Sequence, residues 1–127
     1  IKKGKKIAFL NLGTRLNQVL KCSKLIKNQF KIESTVVDMR FAKPIDKQLI
    51  KSLLKNHSIF ITVEENAIGG FASQVNDYLL NSIEKTPKIL NFFMKDGFID
   101  QSDISDQYYQ SGISPELIFK KLSKLLN

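Results

Sequence analysis

Two adjacent glutamates, Glu64 and Glu65, follow a short apolar segment and precede a glycine pair, Gly69 and Gly70. Carboxylates can act as general acids and bases, but consecutive side chains at the end of a strand point to opposite sides, which does not suit a catalytic dyad. The N–H groups of a helix that begins after the glycines could bind an anion, although packing and turn geometry explain a glycine pair equally well. The motif therefore predicts a turn and assigns no catalytic residue.

The remaining reactive side chains suggest no chemistry either. The sequence has no dinucleotide-binding or phosphate-loop glycine motif, no serine nucleophile motif and no His, Cys, Asp or Glu cluster with metal-ligand spacing. The single cysteine, Cys22, excludes an internal disulfide and lies on the apolar side of a predicted helix, as a packing residue does. His57 has no partner nearby in the sequence, which favours a structural or surface role. We therefore predict no catalytic, cofactor-binding or metal-binding residue in this chain.

Composition indicates a single globular domain with abundant surface lysine. The chain has 127 residues, of which 43% are hydrophobic, and a net charge of +8. Because the lysines are spread along the chain from Lys2 to Lys124, we attribute them to an AT-rich genome rather than to nucleic-acid binding. No apolar run reaches the roughly 20 residues of a membrane-spanning helix. Since the sequence begins at Ile1 rather than methionine, we expect a fragment of a longer protein.

Four β-branched or apolar segments alternate with amphipathic helices. The strands are predicted near residues 6–12, 34–38, 58–63 and 88–93, and the helices near 14–29, 46–56, 70–83, 102–110 and 114–126. Thr14, Asp46 and Ser114 are the predicted N-caps, and Asp96-Gly97 is a predicted turn. This alternation predicts an α/β fold of three layers, α/β/α, with a mostly parallel sheet.

In such folds, ligand-facing or partner-facing residues lie beyond the carboxyl ends of the strands. That edge contains both arginines, Arg15 and Arg40, together with Glu64 and Glu65. We predict an ion-pair network between Arg40 or Arg15 and Glu64 or Glu65. The alternative is that these are ordinary loop charges, worth about 0 to 1 kcal/mol per exposed pair.

Three motifs in this order resemble a known enzyme family. They are L-G-T at residues 12–14, V-D-M-R-F-A-K-P-I-D at 37–46, and V-E-E-N-A-I-G-G at 63–70. Together they resemble the C-terminal domain of the 1-deoxy-D-xylulose-5-phosphate synthases, a transketolase-like family of thiamine-diphosphate enzymes. The resemblance extends over almost the whole chain.

The resemblance implies a transketolase C-terminal-like fold in which the strand at Ile7 lies between those at Val36 and Ile61, with the strand at Ile89 beyond. It implies an enzyme that joins pyruvate and D-glyceraldehyde 3-phosphate with loss of CO2, at the start of non-mevalonate isoprenoid synthesis. Thiamine diphosphate and Mg²⁺ would then be bound by other domains and not by this one. We expect residues 1–127 to be inactive alone.

From the same resemblance we expect this domain to support packing and dimer assembly. The residues expected at that inter-domain or dimer edge are Arg40, Glu64, Glu65, Gly69 and Gly70. The expected partners are the remaining domains of the enzyme and a second copy, without nucleic acid or membrane. The expected location is a plastid or, as the alternative, a bacterial cytoplasm.

Two other interpretations stay open. The first is the C-terminal domain of a 2-oxo acid dehydrogenase β subunit, which is also a thiamine enzyme. The second is a free-standing α/β binding module that uses its lysines on nucleic acid, for which a steep dependence of affinity on salt would be diagnostic.

Overall fold

The computed structural model describes residues 3–65, 70–93 and 113–127, which form strands and helices in alternation. The elements are β1 (Lys6–Leu12), α1 (Leu16–Phe30), β2 (Thr35–Met39), α2 (Lys47–Leu54), β3 (His57–Glu64), α3 (Phe71–Ser82), β4 (Lys88–Phe92) and α4 (Pro115–Leu126). The predicted turn at Asp96-Gly97 and the predicted helix at 102–110 lie outside the described residues.

The four strands form one sheet in the order β2-β1-β3-β4, and every neighbouring pair is parallel. Leu10 lies opposite Val37 on one side and Thr62 on the other, so β1 is central. Parallel strands of this kind need helical crossovers, which α1, α2 and α3 provide. The predicted strand order is confirmed.

Alternation along the strands divides the core into two clusters. Ile7 and Phe9 of β1 face α1 and α4, whose residues include Val19 and Ile118. Ala8 and Leu10 face α2 and α3, with Ile50 and Phe71 among their neighbours; all of these side chains are buried. The sheet is therefore covered by helices on both faces, and the three-layer prediction is confirmed. Across the described ranges, no helix combines the length and the apolar character that crossing a bilayer requires.

The predicted helix starts are confirmed at two positions and wrong at a third. Asp46 caps α2 by accepting a hydrogen bond from Leu49 N at 2.9 Å, and Ser114 caps α4. Thr14 was predicted to cap α1, but the N-cap is Arg15, which provides no side-chain cap. The Thr14 hydroxyl instead donates to Glu65, and this contact draws it away from the helix.

Candidate functional site

Because the sheet is parallel, the carboxyl ends of its strands meet at one edge, which we call the carboxyl-terminal edge. Arg15 follows β1, Arg40 follows β2 and Glu65 follows β3, while Gly70 precedes α3 on the return from β3. The topology therefore brings the predicted edge residues Arg40, Glu64, Glu65 and Gly70 to one side of the domain. Gly69 lies outside the described residues.

Glu64 is the last residue of β3, and its carboxylate binds the first turn of α3. Its Oε2 accepts a hydrogen bond from Phe71 N at 2.7 Å, and its Oε1 accepts one from Ala72 N at 3.0 Å. The side chain is 1% exposed. Gly70, the N-cap residue, has no side chain that could do this, and a negative charge is favourable at a helix N-terminus. Glu64 therefore has a structural role, and its predicted pairing with an arginine is wrong.

The Glu65 side chain points away from that of Glu64 and contacts the β1–α1 loop. Its Oε1 lies 2.9 Å from Arg15 Nε, and the Thr14 hydroxyl donates to the same oxygen. Arg15 also donates from Nη2 to Thr14 Oγ1 at 3.0 Å. The Arg15 side chain is 8% exposed and that of Glu65 is 39% exposed. One predicted pair, Arg15 with Glu65, is confirmed, and the two glutamates point apart as predicted.

Arg40 takes no part in this network. It forms no ion pair with any residue in the described ranges, so its predicted pairing with Glu64 or Glu65 is wrong. Arg40 is exposed and borders a cavity of about 420 Å³ beyond β2. The other residues that line this groove are Asp38, Met39, Phe41, Pro44, Ile45, Asp46 and Leu49.

The aromatic residue beside Arg40 is exposed to an unusual degree. Phe41 is 68% exposed, although aromatic side chains of this size are mostly buried. A cation and an aromatic ring beside an apolar groove are typical of contact surfaces between proteins. Chemically, the groove can dock another surface; it holds no arrangement for acid–base catalysis.

A buried asparagine links the ends of β1 and β2 and was missed by sequence reasoning. Asn11 donates from Nδ2 to Gly13 O at 3.0 Å and to Asp38 Oδ1 at 2.8 Å. Its own Oδ1 is buried and has no hydrogen-bond partner in the part of the chain that the structure describes. The sequence did contain a sign of this role. An asparagine stands within the apolar run Phe9-Leu10-Asn11-Leu12, and a buried polar side chain requires a hydrogen-bond partner.

The remaining candidate residues lie away from this edge. His57, the first residue of β3, is 8% exposed, and its Nδ1 lies 2.7 Å from Leu53 O while its Nε2 lies 2.7 Å from Thr35 Oγ1. Its structural role is as predicted. Burial, and to a lesser extent the negative charge of Glu116, raise the pKa of the Cys22 thiol to about 12. Cys22 is therefore a protonated packing residue at neutral pH.

The comparison with known families extends over most of the chain. The family described as "Transketolase, C-terminal domain" matches residues 1–118. The 1-deoxy-D-xylulose-5-phosphate synthase of Blochmanniella pennsylvanica is 38% identical over 127 residues, and that of Francisella philomiragia is 39% identical over 131. These matches cover 99% and 100% of this chain but only 19% and 20% of those proteins. The chain thus spans about a fifth of the length of these curated relatives.

Solved structures agree with the sequence matches. A structure titled "Split gene transketolase, inactive beta4 tetramer" superposes with a TM-score of 0.86 at 25% identity, covering 97% of this chain and 40% of that one. A Pichia stipitis transketolase superposes with a TM-score of 0.63 at 13% identity, covering 98% of this chain and 17% of that one, which shows the fold alone. The chain belongs to the transketolase C-terminal domain family.

Proposed function

We propose that this chain is the C-terminal domain of a 1-deoxy-D-xylulose-5-phosphate synthase. The complete enzyme would join pyruvate to D-glyceraldehyde 3-phosphate, with loss of CO2, at the entry to non-mevalonate isoprenoid synthesis. The observation that carries the proposal is the 38–39% identity to two such synthases along the whole chain. That identity supports the synthase over the 2-oxo acid dehydrogenase interpretation.

The described residues do not fit a thiamine diphosphate and Mg²⁺ site. No three His, Cys, Asp or Glu side chains within ranges 3–65, 70–93 and 113–127 are grouped as metal ligands. The buried carboxylate at the carboxyl-terminal edge, Glu64, already accepts hydrogen bonds from two backbone N–H groups of α3. We propose that the cofactor, which supplies the carbanion chemistry when bound, and its Mg²⁺ would be held by other domains of the enzyme, as the family resemblance implies.

The contribution of this domain would be to present the carboxyl-terminal edge to those domains and to a second copy in a dimer. Glu64 fixes the start of α3, and the Arg15–Glu65 pair fixes the β1–α1 loop against the end of β3. These contacts hold the edge in one conformation before a partner arrives, which lowers the entropy cost of association. Arg40 and Phe41 remain exposed beside the groove and are available to that partner. The resemblance to this enzyme family supports a plastid or, as the alternative, a bacterial cytoplasm as the location.

A chimaeric enzyme tests this proposal. This chain would replace the matching fifth of the Francisella philomiragia synthase, and formation of 1-deoxy-D-xylulose 5-phosphate from pyruvate and D-glyceraldehyde 3-phosphate would be measured. We expect an active chimaera with the oligomeric state of the parent enzyme. A chimaera that folds and dimerises but forms no product would contradict the proposal.

Matched variants locate the contact surface. In the chimaera, Phe41→Ser should weaken association of the subunits or domains, whereas Leu80→Ser, which changes an equally exposed residue of α3, should not. Titration of the 127-residue chain with thiamine diphosphate in a calorimeter gives an independent check. Micromolar binding by this chain alone would overturn the assignment of the cofactor site to other domains.

A further inference from the structure

A second cavity lies at the opposite edge of the sheet, where the amino-terminal ends of the strands meet. Its volume is about 570 Å³, and its lining includes the residues Lys3, Lys5, Lys6, Lys31, Ile32 and Glu33. Glu33 also forms an ion pair with Lys27. Because four lysines accompany a single glutamate, this opening, which we call the lysine cavity, has an excess of positive charge.

The segment that carries three of these lysines is held by hydrogen bonds to β2 and to the residues before it. Lys5 donates its backbone N–H to Glu33 O at 2.8 Å. Gly4 donates its N–H to Thr35 Oγ1 at 2.9 Å, and the Thr35 hydroxyl lies 3.1 Å from Gly4 O. A Cβ atom at Gly4 would lie 2.0 Å from Glu33 O, so only glycine fits there. The lysine backbone is therefore ordered before any ligand binds.

The buried side chain of His57 contacts the threonine that holds the lysine segment. His57 contacts the same Thr35 hydroxyl through Nε2 at 2.7 Å, and its Nδ1 contacts Leu53 O. Both residues are less than a tenth exposed. The contacts of Thr35 to Gly4 and to His57 join the lysine segment to the interior of the sheet.

Two of the four lysines have a backbone conformation that is uncommon for residues other than glycine. Lys6 has φ +68° and Lys31 has φ +59°. Lys31 follows α1 as its C-cap, a place where glycine is the usual left-handed residue. Its ammonium group donates to Asn28 O at 3.1 Å, and an ammonium has three N–H donors in total. Unfavourable backbone conformations occur preferentially at ligand sites, and here two of them line one cavity.

We propose that the lysine cavity binds ligands that carry a phosphate or diphosphate group. Lysine ammonium groups bind phosphate oxygens as point charges, and the lysine stems together with Ile32 offer apolar contact to the rest of a ligand. Charge that is fixed on an ordered backbone loses less entropy on binding than charge on a mobile tail. None of these residues lies at the carboxyl-terminal edge, so the proposal is independent of the proposed function.

Titration of the ¹⁵N-labelled chain with inorganic pyrophosphate at constant ionic strength tests this site. We expect saturable amide shifts at residues 4–6 and 31–33. The double variant Lys5→Gln, Lys31→Gln should raise the dissociation constant about tenfold, because two charge-assisted contacts are lost. The matched control Lys120→Gln, Lys124→Gln removes two exposed lysines of α4 and should leave the constant unchanged.

A third variant separates an ordered site from general positive charge. Thr35→Val keeps every lysine but removes the hydrogen bonds to Gly4, and we expect it to weaken pyrophosphate binding about threefold through loss of order in the segment. Shifts that do not saturate, shifts spread evenly over the lysines of α1, α2 and α4, or equal weakening by the α4 control would overturn the proposal. Unchanged affinity in Thr35→Val would also contradict it.

Discussion

Two buried side chains at the carboxyl-terminal edge, Glu64 and Arg15, belong to charged residue types, whereas the buried contact at the amino-terminal edge joins the Thr35 hydroxyl to the His57 ring. Glu64 and Arg15 are both under a tenth exposed, and each is held by a specific partner. At the other edge Thr35 and His57 are buried, while the lysines are exposed. Removing the partner of a buried charge costs far more free energy than removing an exposed charge. The carboxyl-terminal edge should therefore be sensitive to single charge changes, and the amino-terminal edge to loss of its hydroxyl.

The largest loss of unfolding free energy is expected for substitution of Glu64. Glu64→Ala leaves two backbone N–H groups of α3 without their acceptor and should lower the free energy of unfolding by about 3 kcal/mol. Glu64→Gln keeps one acceptor oxygen and should cost about half as much. Urea denaturation at pH 7 measures both, with the exposed residue Ser58→Ala of the same strand as control. A loss below about 1 kcal/mol for Glu64→Ala would refute the capping role.

The corresponding change at the amino-terminal edge is Thr35→Val. This variant preserves shape but removes the hydroxyl that contacts Gly4 and His57, and we expect a loss of about 2 kcal/mol in the same urea experiment. Amide hydrogen exchange should quicken at Gly4 and Lys5 and stay unchanged at Phe71. If protection from hydrogen exchange fell equally at Gly4 and at Phe71, the hydrogen bonds of the two edges would not be independent of each other.

Between the two edges, the buried thiol of Cys22 gives a pH-dependent contribution. Its pKa rises from an ordinary value of 9.0 to about 12 on folding, so the unfolded chain loses this proton first. The stabilisation that comes from the tighter hold of the folded chain on this proton is complete below pH 9 and is lost as the pH rises from 9 towards 12. The free energy of unfolding should fall by about 1 kcal/mol between pH 9 and pH 10 for this reason. Cys22→Ala, compared over the same range, should lack this increment; an identical slope in both proteins would contradict it.

The smallest losses of unfolding free energy are expected when either of two ion pairs is broken. Glu65→Gln weakens the contact with the nearly buried Arg15 and should cost about 0.5 to 1 kcal/mol after allowance for the partial exposure of Glu65. Glu33→Gln removes the partner of Lys27 in a pair whose side chains are both 53% exposed, and it should cost close to 0 kcal/mol. Denaturation in low and high salt compares the two. If Glu33→Gln lowered the free energy of unfolding more than Glu65→Gln did, the predicted difference between the two edges would be wrong.

Much of the fold could be predicted because its signals are local. The apolar runs of β1 and β3, the cap at Asp46 and the Ser114-Pro115 start of α4 each depend on a few neighbouring residues. The divergence of Glu64 and Glu65 followed from the alternation of side chains in a strand. These features need no knowledge of which strand lies beside which.

The choice of partners at the site could not be predicted, because it depends on contacts between distant residues. Arg15 reaches Glu65 since β1 and β3 are neighbours with Leu12 opposite Glu64, whereas Arg40 lies beyond the edge strand β2. Thr14 lost its predicted capping role to the same contact. The lysine cavity likewise requires the segment at Gly4 to lie against Glu33, which nothing in the local sequence indicates.

The hydrogen bonds from Phe71 and Ala72 to Glu64 mean that one side chain ends a strand and also begins the helix that follows it. The end of β3 and the first turn of α3 are therefore fixed to each other by one carboxylate. A displacement of the strand end would carry the helix start with it, so a surface that contacts this edge meets the strand and the helix as one rigid unit.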